Sequence, residues 1–391
     1  MQTLVTVESI VSAVRCTVGR GPTGLHEPDI GALEEEYTQT CLRSGYVSSV
    51  GEYVGLFEEE LAGIIGAPAV MATVNGTSAL HLGFMALGVG PGDEVLVPSM
   101  TFVATVNALS YCGGIPHFVD IEHESLGVDP AKLSVYLREI CVSQDGQTTN
   151  RMTGRPIKAL VVVHLLGLPA MIDELCEVAE RFGIPVLEDA AGALGSRIDG
   201  RHVGTTGDVG VLSFNGNKTV TTGGGGAFIT GDPDLALKAK NLSNTWRIPH
   251  PYKVEHGGIS YNYRMPNLNA ALGLAQLRRL PDFLRKQSSL HLEYKGMLDA
   301  GDSVHMVAGR SETEPNYWLQ ALCVDKAKPG FVQELLEALT SDGIQARMAW
   351  TPIHRMEAYS RAPRAGLEVT ERISAQLLCL PSSSQLAKST V

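Results

Sequence analysis

Three short stretches hold residue types that could do chemistry. The first is Asn75-Gly76-Thr77-Ser78, between a β-rich run and a helical one. Free backbone N–H groups at a helix start, beside small hydroxyl side chains, suit a phosphate, and the same residues also serve as an ordinary helix N-cap. The second is Leu187-Glu188-Asp189-Ala190-Ala191, which closes an apolar strand. Ligands of open α/β sheets bind beyond the carboxyl ends of the strands, where Asp189 stands. The small residues after it would let a flat ring approach. A carboxylate there could hold a heterocyclic nitrogen protonated, or it could cap the next helix.

The third stretch is Ser213-Phe214-Asn215-Gly216-Asn217-Lys218-Thr219, followed by a glycine-rich run at 221–226. A nucleotide P-loop fails on spacing, because five residues follow Gly210 and Asn217 separates Gly216 from Lys218. What remains is a lysine in a turn after a buried strand. If desolvated, such an amine has a lowered pKa and forms a Schiff base with an aldehyde; if solvated, it is a plain loop lysine. Together, cradle, strand-end acid and loop lysine offer three handles for pyridoxal 5'-phosphate (PLP): its phosphate, its pyridine nitrogen and its aldehyde. Phe102, in Ser99-Met100-Thr101-Phe102, is a candidate to stack on that ring, with a core phenylalanine as the alternative.

Elements of the right kind surround these residues. Apolar β-rich runs at 69–73, 94–97, 115–119, 158–163, 185–188 and 209–214 alternate with helical stretches at 77–87, 102–111, 130–139 and 171–181. That alternation predicts an α/β fold with a mostly parallel sheet covered on both faces. Amphipathic helices are expected at 30–43 and 52–65, and a long connecting helix begins at 267. A β-rich stretch at 317–324 and helices at 331–340 and 369–378 then suggest a second, smaller α/β domain. The polar segment 144–155 reads as an exposed loop. The expected organisation is an N-terminal segment over 1–29, a large cofactor-binding domain over 30–262 and a small domain over 263–391.

Composition narrows the function classes. With 44% hydrophobic and 19% charged residues, the 391-residue chain has ample material for a core. Its net charge of −11 repels phosphate backbones and acidic membranes, which argues against nucleic acid or membrane as partner. Seven scattered cysteines, none in CxxC spacing, point to free thiols and to no metal site. No signal peptide or membrane-length apolar run is visible, so the expected location is cytoplasmic.

The sequence resembles the DegT/DnrJ/EryC1/StrS sugar aminotransferases, which have the fold-type-I architecture of PLP-dependent transferases. The resemblance covers nearly the whole chain. It rests on NGTSAL at 75–80, GPGDEVLV at 90–97, EDAA at 188–191, SFNGNK at 213–218, TTGGGG at 221–226 and above all YNYRMPNLNAALGLAQL at 261–277. VSSVG at 47–51 and PHPY at 249–252 are similar to the branch that acts on nucleotide-linked 4-keto-6-deoxy-N-acetylhexosamines, in bacillosamine- or legionaminic-type pathways.

The resemblance implies that Lys218 forms the Schiff base and that Asp189 pairs with the ring nitrogen. Gly76, the Thr77 and Ser78 amides and the Ser213 hydroxyl would hold the phosphate. Asn262 would reach it from the neighbouring subunit of a homodimer with shared sites. His354, in Thr351-Pro352-Ile353-His354, would contact the substrate, and L-glutamate would donate the amine; apart from the resemblance, a nucleotide diphosphate needs cations, and Arg247 lies with His250 and Lys253 in a loop that could supply one. Gly192 follows EDAA where many relatives carry Gln, His or Glu, and Gly224 stands where many have Glu. The alternatives to sugar transamination are a PLP-dependent dehydratase or lyase of the same fold and a non-catalytic regulator. Lys218 favours transamination over both.

Overall fold

A computed structural model describes residues 6–144, 146–299, 303–325 and 330–388. The central sheet contains seven strands: β1 (Ala69–Thr73), β2 (Glu94–Pro98), β3 (Ile115–Val119), β4 (Ile157–Val163), β5 (Val186–Asp189), β6 (Val209–Ser213) and β7 (Gly226–Thr230). Their spatial order is β1-β7-β6-β5-β4-β2-β3. Strands β6, β5, β4, β2 and β3 pair in parallel, while β7 runs antiparallel to both β1 and β6. β7 is a strand that the sequence reading lacked, because TTGGGG masked its start.

The strands read as continuous apolar runs because both faces are covered. Leu96, Leu160, Val162, Val186 and Leu212 face one core, with Phe57, Leu61, Leu137, Leu175 and Leu274 from helices α3 (Glu52–Ile65), α6 (Pro130–Ile140), α7 (Ile172–Arg181) and α9 (Asn267–Leu298). Their strand neighbours Val95, Val97, Val161, Leu187 and Val211 face the opposite core, with α4 (Gly76–Ala86), α5 (Val103–Tyr111) and α8 (Pro233–Ser243). The period of two thus sends alternate side chains to different helix layers.

A third core gathers the rest. Helix α1 (Val7–Val18) packs through Ile10 and Val14 against the second half of α9, at Leu290, Tyr294 and Leu298. With them lie β8 (Val304–Met306), β9 (Gln320–Val324), β10 (Arg347–Met348), α10 (Phe331–Ser341) and β11 (Leu377–Leu380). The four strands form an antiparallel sheet in the order β8-β9-β11-β10. The N-terminal helix therefore packs into the same core as the C-terminal elements.

Two local expectations are corrected. The helix read over 369–378 stops at Ser374, and its apolar end, Leu377–Leu380, is strand β11. Pairing with Gln320–Cys323 decides that stretch, and one sequence window cannot see it. The polar 144–155 segment is partly a ribbon, Cys141–Gln144 against Gln147–Asn150. Helix α2 (Ala32–Ser44) completes the layer over α9, where Arg279 pairs with Glu34 and Asp29.

Candidate active site

At the carboxyl ends of β1, β2, β4, β5 and β6 lies a cavity of about 380 Å³, lined by residues that immediately follow each strand. This is the position that parallel topology reserves for ligands, because successive loops converge there.

The turn from β1 into α4 forms its anion-binding corner. Asn75 is the N-cap, and its side chain accepts the Ser78 N–H at 2.7 Å. That bond corrects one expectation: the Ser78 amide is spent on the cap, leaving the first-turn donors of Gly76 and Thr77 at the cavity. A Cβ at position 76 would lie 2.9 Å from Ser213 Cβ. Glycine therefore lets the helix start settle against the end of β6, which brings the Ser213 hydroxyl to the same corner.

Asp189 ends β5 and is 5% exposed. Thr105 Oγ1 donates to its Oδ2 at 2.7 Å, and the Ala191 N–H donates to Oδ1 at 3.1 Å. Thr101 in turn lies 3.1 Å from Thr105, so a short hydroxyl chain sets the rotamer of the carboxylate. Hydrogen bonds to a charged acceptor each contribute about 1.5–3 kcal/mol. The neighbouring Glu188 points to the other face of the sheet. It accepts from Gly204, Thr206 and Gly207 N–H at 2.7 Å and lies 2.9 Å from His164 Nε2. Burial would push that carboxyl up, but His164 and the backbone donors hold it below its ordinary range. Glu188 is a strut that fixes the 203–207 loop beside the site.

Lys218 follows β6 in a tight turn, its N–H donating to the Asn215 carbonyl at 3.0 Å. Burial drives its amine from the ordinary 10.5 down to about 7, against the pull of the Asp189 carboxylate and with help from the Arg347 charge. Near neutral pH a large fraction of this amine is therefore unprotonated and nucleophilic. Phe102 also lines the cavity and is 55% exposed, which rules out the core alternative.

These groups fit PLP. The cavity joins a helix-start anion corner with a serine hydroxyl, a hydrogen-bonded carboxylate, an aromatic face and a half-neutral lysine. The DegT/DnrJ/EryC1/StrS aminotransferase family model matches residues 28–391. The chain belongs to that family. It is a PLP-dependent sugar aminotransferase. The chain is 33% identical to the protein named as the pyridoxal phosphate-dependent aminotransferase EpsN of Bacillus subtilis, over 93% of this chain and 92% of the relative. It is 35% identical to the GDP-perosamine synthase of Escherichia coli O157:H7, over 86% of each. Among solved structures, the aminotransferase TlmJ from Streptoalloteichus hindustanus superposes with a TM-score of 0.84 at 29% identity, over 94% of this chain and 95% of that one.

The sugar aminotransferase also recruits cavity residues that sequence reasoning missed. Trp318, Arg347 and Trp350 come from the C-terminal region and line the same cavity. Trp318 and Trp350 stack at 6.3 Å, Trp350 meets Phe102 at 6.3 Å, and the Arg347 guanidinium lies 5.2 Å from the Trp350 ring. Nothing local in the sequence marks them.

Three expected contacts lie elsewhere. His354 is 8% exposed and does not line the cavity. Its Nδ1 lies 2.6 Å from Ser99 Oγ and its Nε2 lies 2.6 Å from Glu371, so it joins the end of β2 to helix α11 (Glu368–Ser374). That correction follows from burial: every polar atom of the ring is engaged in the domain junction. Arg247 is exposed on a ribbon with Glu255–His256, and Asn262 is exposed beside Asn244. Neither lines the cavity of its own chain. Among the described residues, no helix is long and apolar enough to cross a membrane.

Proposed function

We propose that the enzyme transfers an amino group from L-glutamate to the C4 ketone of a nucleotide-linked 4-keto-6-deoxyhexose, in two half-reactions at the Lys218 cavity. The observation that carries this reading is the meeting of Lys218 and Asp189 in one cavity with the phosphate corner. Bound there, PLP supplies an aldehyde for covalent capture of amines and a ring that takes up the electrons of a broken C–H bond. Gly76, Thr77 and Ser213 would hold its phosphate, Phe102 its face and Asp189 its protonated ring nitrogen. Thr105 fixes the Asp189 carboxylate and would keep it in place for that nitrogen. Lys218 holds the group covalently at rest. When released by the incoming amine, its neutral Nζ would be the base that takes the proton from the donor's α-carbon and delivers it to the former aldehyde carbon, on the far side of the shared nitrogen. Arg347 is the cation positioned to receive a substrate carboxylate or phosphate, with Trp350 supporting its plane.

A UDP-linked N-acetylhexosamine is the acceptor that the VSSVG and PHPY stretches favour. A GDP-linked sugar without the N-acetyl group is the second reading, favoured by the 35% identity to a GDP-perosamine synthase. Arg247 and Asn262, which stand outside their own cavity, would serve the site of a second protomer in a homodimer. Tyr252, Val254 and Ile259, between 73% and 91% exposed on the same segment, support burial against that protomer.

The test is a single-turnover experiment on the yellow, PLP-loaded enzyme. Glutamate should bleach the visible band, and a 4-keto-6-deoxy nucleotide sugar should restore it. Faster restoration by the GDP form would select the second reading. No bleaching by any amino acid would end the transamination proposal. Light scattering giving a monomer mass would remove the dimer.

A further inference from the structure

The indole of Trp318 lies on the Lys218 amine, with Nζ 3.3 Å from the ring centroid. The contact is built from several sides. Trp318 Nε1–H donates at 2.6 Å to the carbonyl of Asn217, the residue preceding the lysine. Asn316 fixes the other end: its Oδ1 accepts the Trp318 N–H at 2.8 Å, and its Nδ2 donates to the carbonyls of Gly192 at 3.0 Å and Leu194 at 2.9 Å. A side chain at position 192 could not coexist with this arrangement. A Cβ there would sit 2.4 Å from Trp318 Cε3 and 2.8 Å from Cζ3. The absence of a polar side chain after EDAA thus has a physical counterpart, since the indole fills that volume.

We infer that Trp318 is a positioning residue that holds the Lys218 nitrogen beneath its π face, and that Gly192 is the vacancy that admits the indole. The inference deepens the proposed function and rests on Lys218 being the cofactor-bonding amine. An indole face attracts a cation more strongly than any other aromatic side chain, and most strongly when water is excluded. Trp318 therefore favours the protonated nitrogen while also restricting where Nζ can swing when it is released from the cofactor. The charged groups that act on that nitrogen are Asp189 from β5 and Arg347 from β10, and His26 from the N-terminal segment lies near enough to feel its charge. Asp189 is held by Thr105 and the Ala191 N–H, neither of which is part of the indole contact.

The test uses the full-length, PLP-loaded enzyme and follows the pH midpoint of its visible band, which reports protonation at the Lys218 nitrogen. Trp318→Leu keeps the site apolar but removes the π face, and it should lower the midpoint by about one pH unit, a tenfold change in the proton equilibrium. Trp318→Phe should give a smaller shift in the same direction and serves where the leucine variant does not load. Gly192→Ala should push the indole away and reproduce the shift. Adding Trp318→Phe to Gly192→Ala should bring the double variant back to the value of Trp318→Phe alone, because the smaller ring leaves room for the methyl group. Midpoints equal to wild type in folded, loaded Trp318→Phe and Gly192→Ala would overturn the inference. That result would leave transamination standing, since the wild-type band and its bleaching by glutamate are scored separately.

Discussion

One lining of the cavity comes from the carboxyl ends of the parallel strands, and the other comes from the C-terminal region, beyond residue 317. The first is polar and held by short-range geometry: Asn75 caps the helix that starts at the cavity, and Asp189 takes an N–H from Ala191. The second is aromatic and cationic, and it meets the strand-end residues only across long separations in the chain. Trp318 reaches Lys218 across a separation of 100 positions, and Arg347 reaches the site from a different sheet. The contrast suggests a division of labour. A cofactor that stays in place needs fixed donors and acceptors, which strand ends supply. Under the proposed function, the aromatic and cationic C-terminal lining is the part left for the substrates.

The sharpest way to break that division is at the strand-end lining itself. Lys218→Ala should lower turnover by about 10⁴-fold while PLP is still retained through its phosphate, as measured by steady-state kinetics and bound-cofactor absorbance. Activity near wild type would remove the lysine from the reaction. In the native enzyme, the proton-accepting step should fall off as pH drops through about 7, where the Lys218 amine takes up its proton. A flat single-turnover rate from about pH 6 to about pH 8, roughly one unit either side of that midpoint, would contradict the half-neutral amine.

Asp189→Asn comes next, with an expected loss of roughly 10²-fold in kcat, because the ring nitrogen loses its anionic partner. If the partition between linings is correct, the KM for glutamate should move far less than kcat. Arg347→Gln is the converse case. It should raise the KM of the anionic substrate by about 10- to 100-fold, the cost of one charge-assisted hydrogen bond, with cofactor loading unchanged. An effect on cofactor loading instead would merge the two linings into one. The smallest kinetic effect is expected at His354. Its Ala variant should cost about 1–3 kcal/mol in denaturant unfolding, with KM for both substrates close to wild type. A large KM change there would restore the substrate role that its burial between Ser99 and Glu371 argues against.

Much of the strand-end lining could be read from the amino-acid order because each of its parts is local. NGTSAL is a helix start wherever it follows a strand, EDAA is an acid at a strand end, and SFNGNK is a lysine in a turn. Even there the reading slipped where a local competitor won, as at Ser78, whose amide the Asn75 cap takes. His354 shows the limit more clearly. A histidine after Thr351-Pro352-Ile353 looks available in the sequence, but its two ring nitrogens are engaged by residues 255 positions before it and 17 after it.

What the sequence determined by itself is the alternating strand and helix order and the local groups of the cofactor corner, since periodicity and turn chemistry act over a few residues. Only the tertiary structure decided that Trp318 roofs Lys218, that Gly192 must lack a side chain, and that the 377–380 run is a strand. Those outcomes depend on packing between segments far apart in the chain, where the shape left by one side chain sets what the other can be.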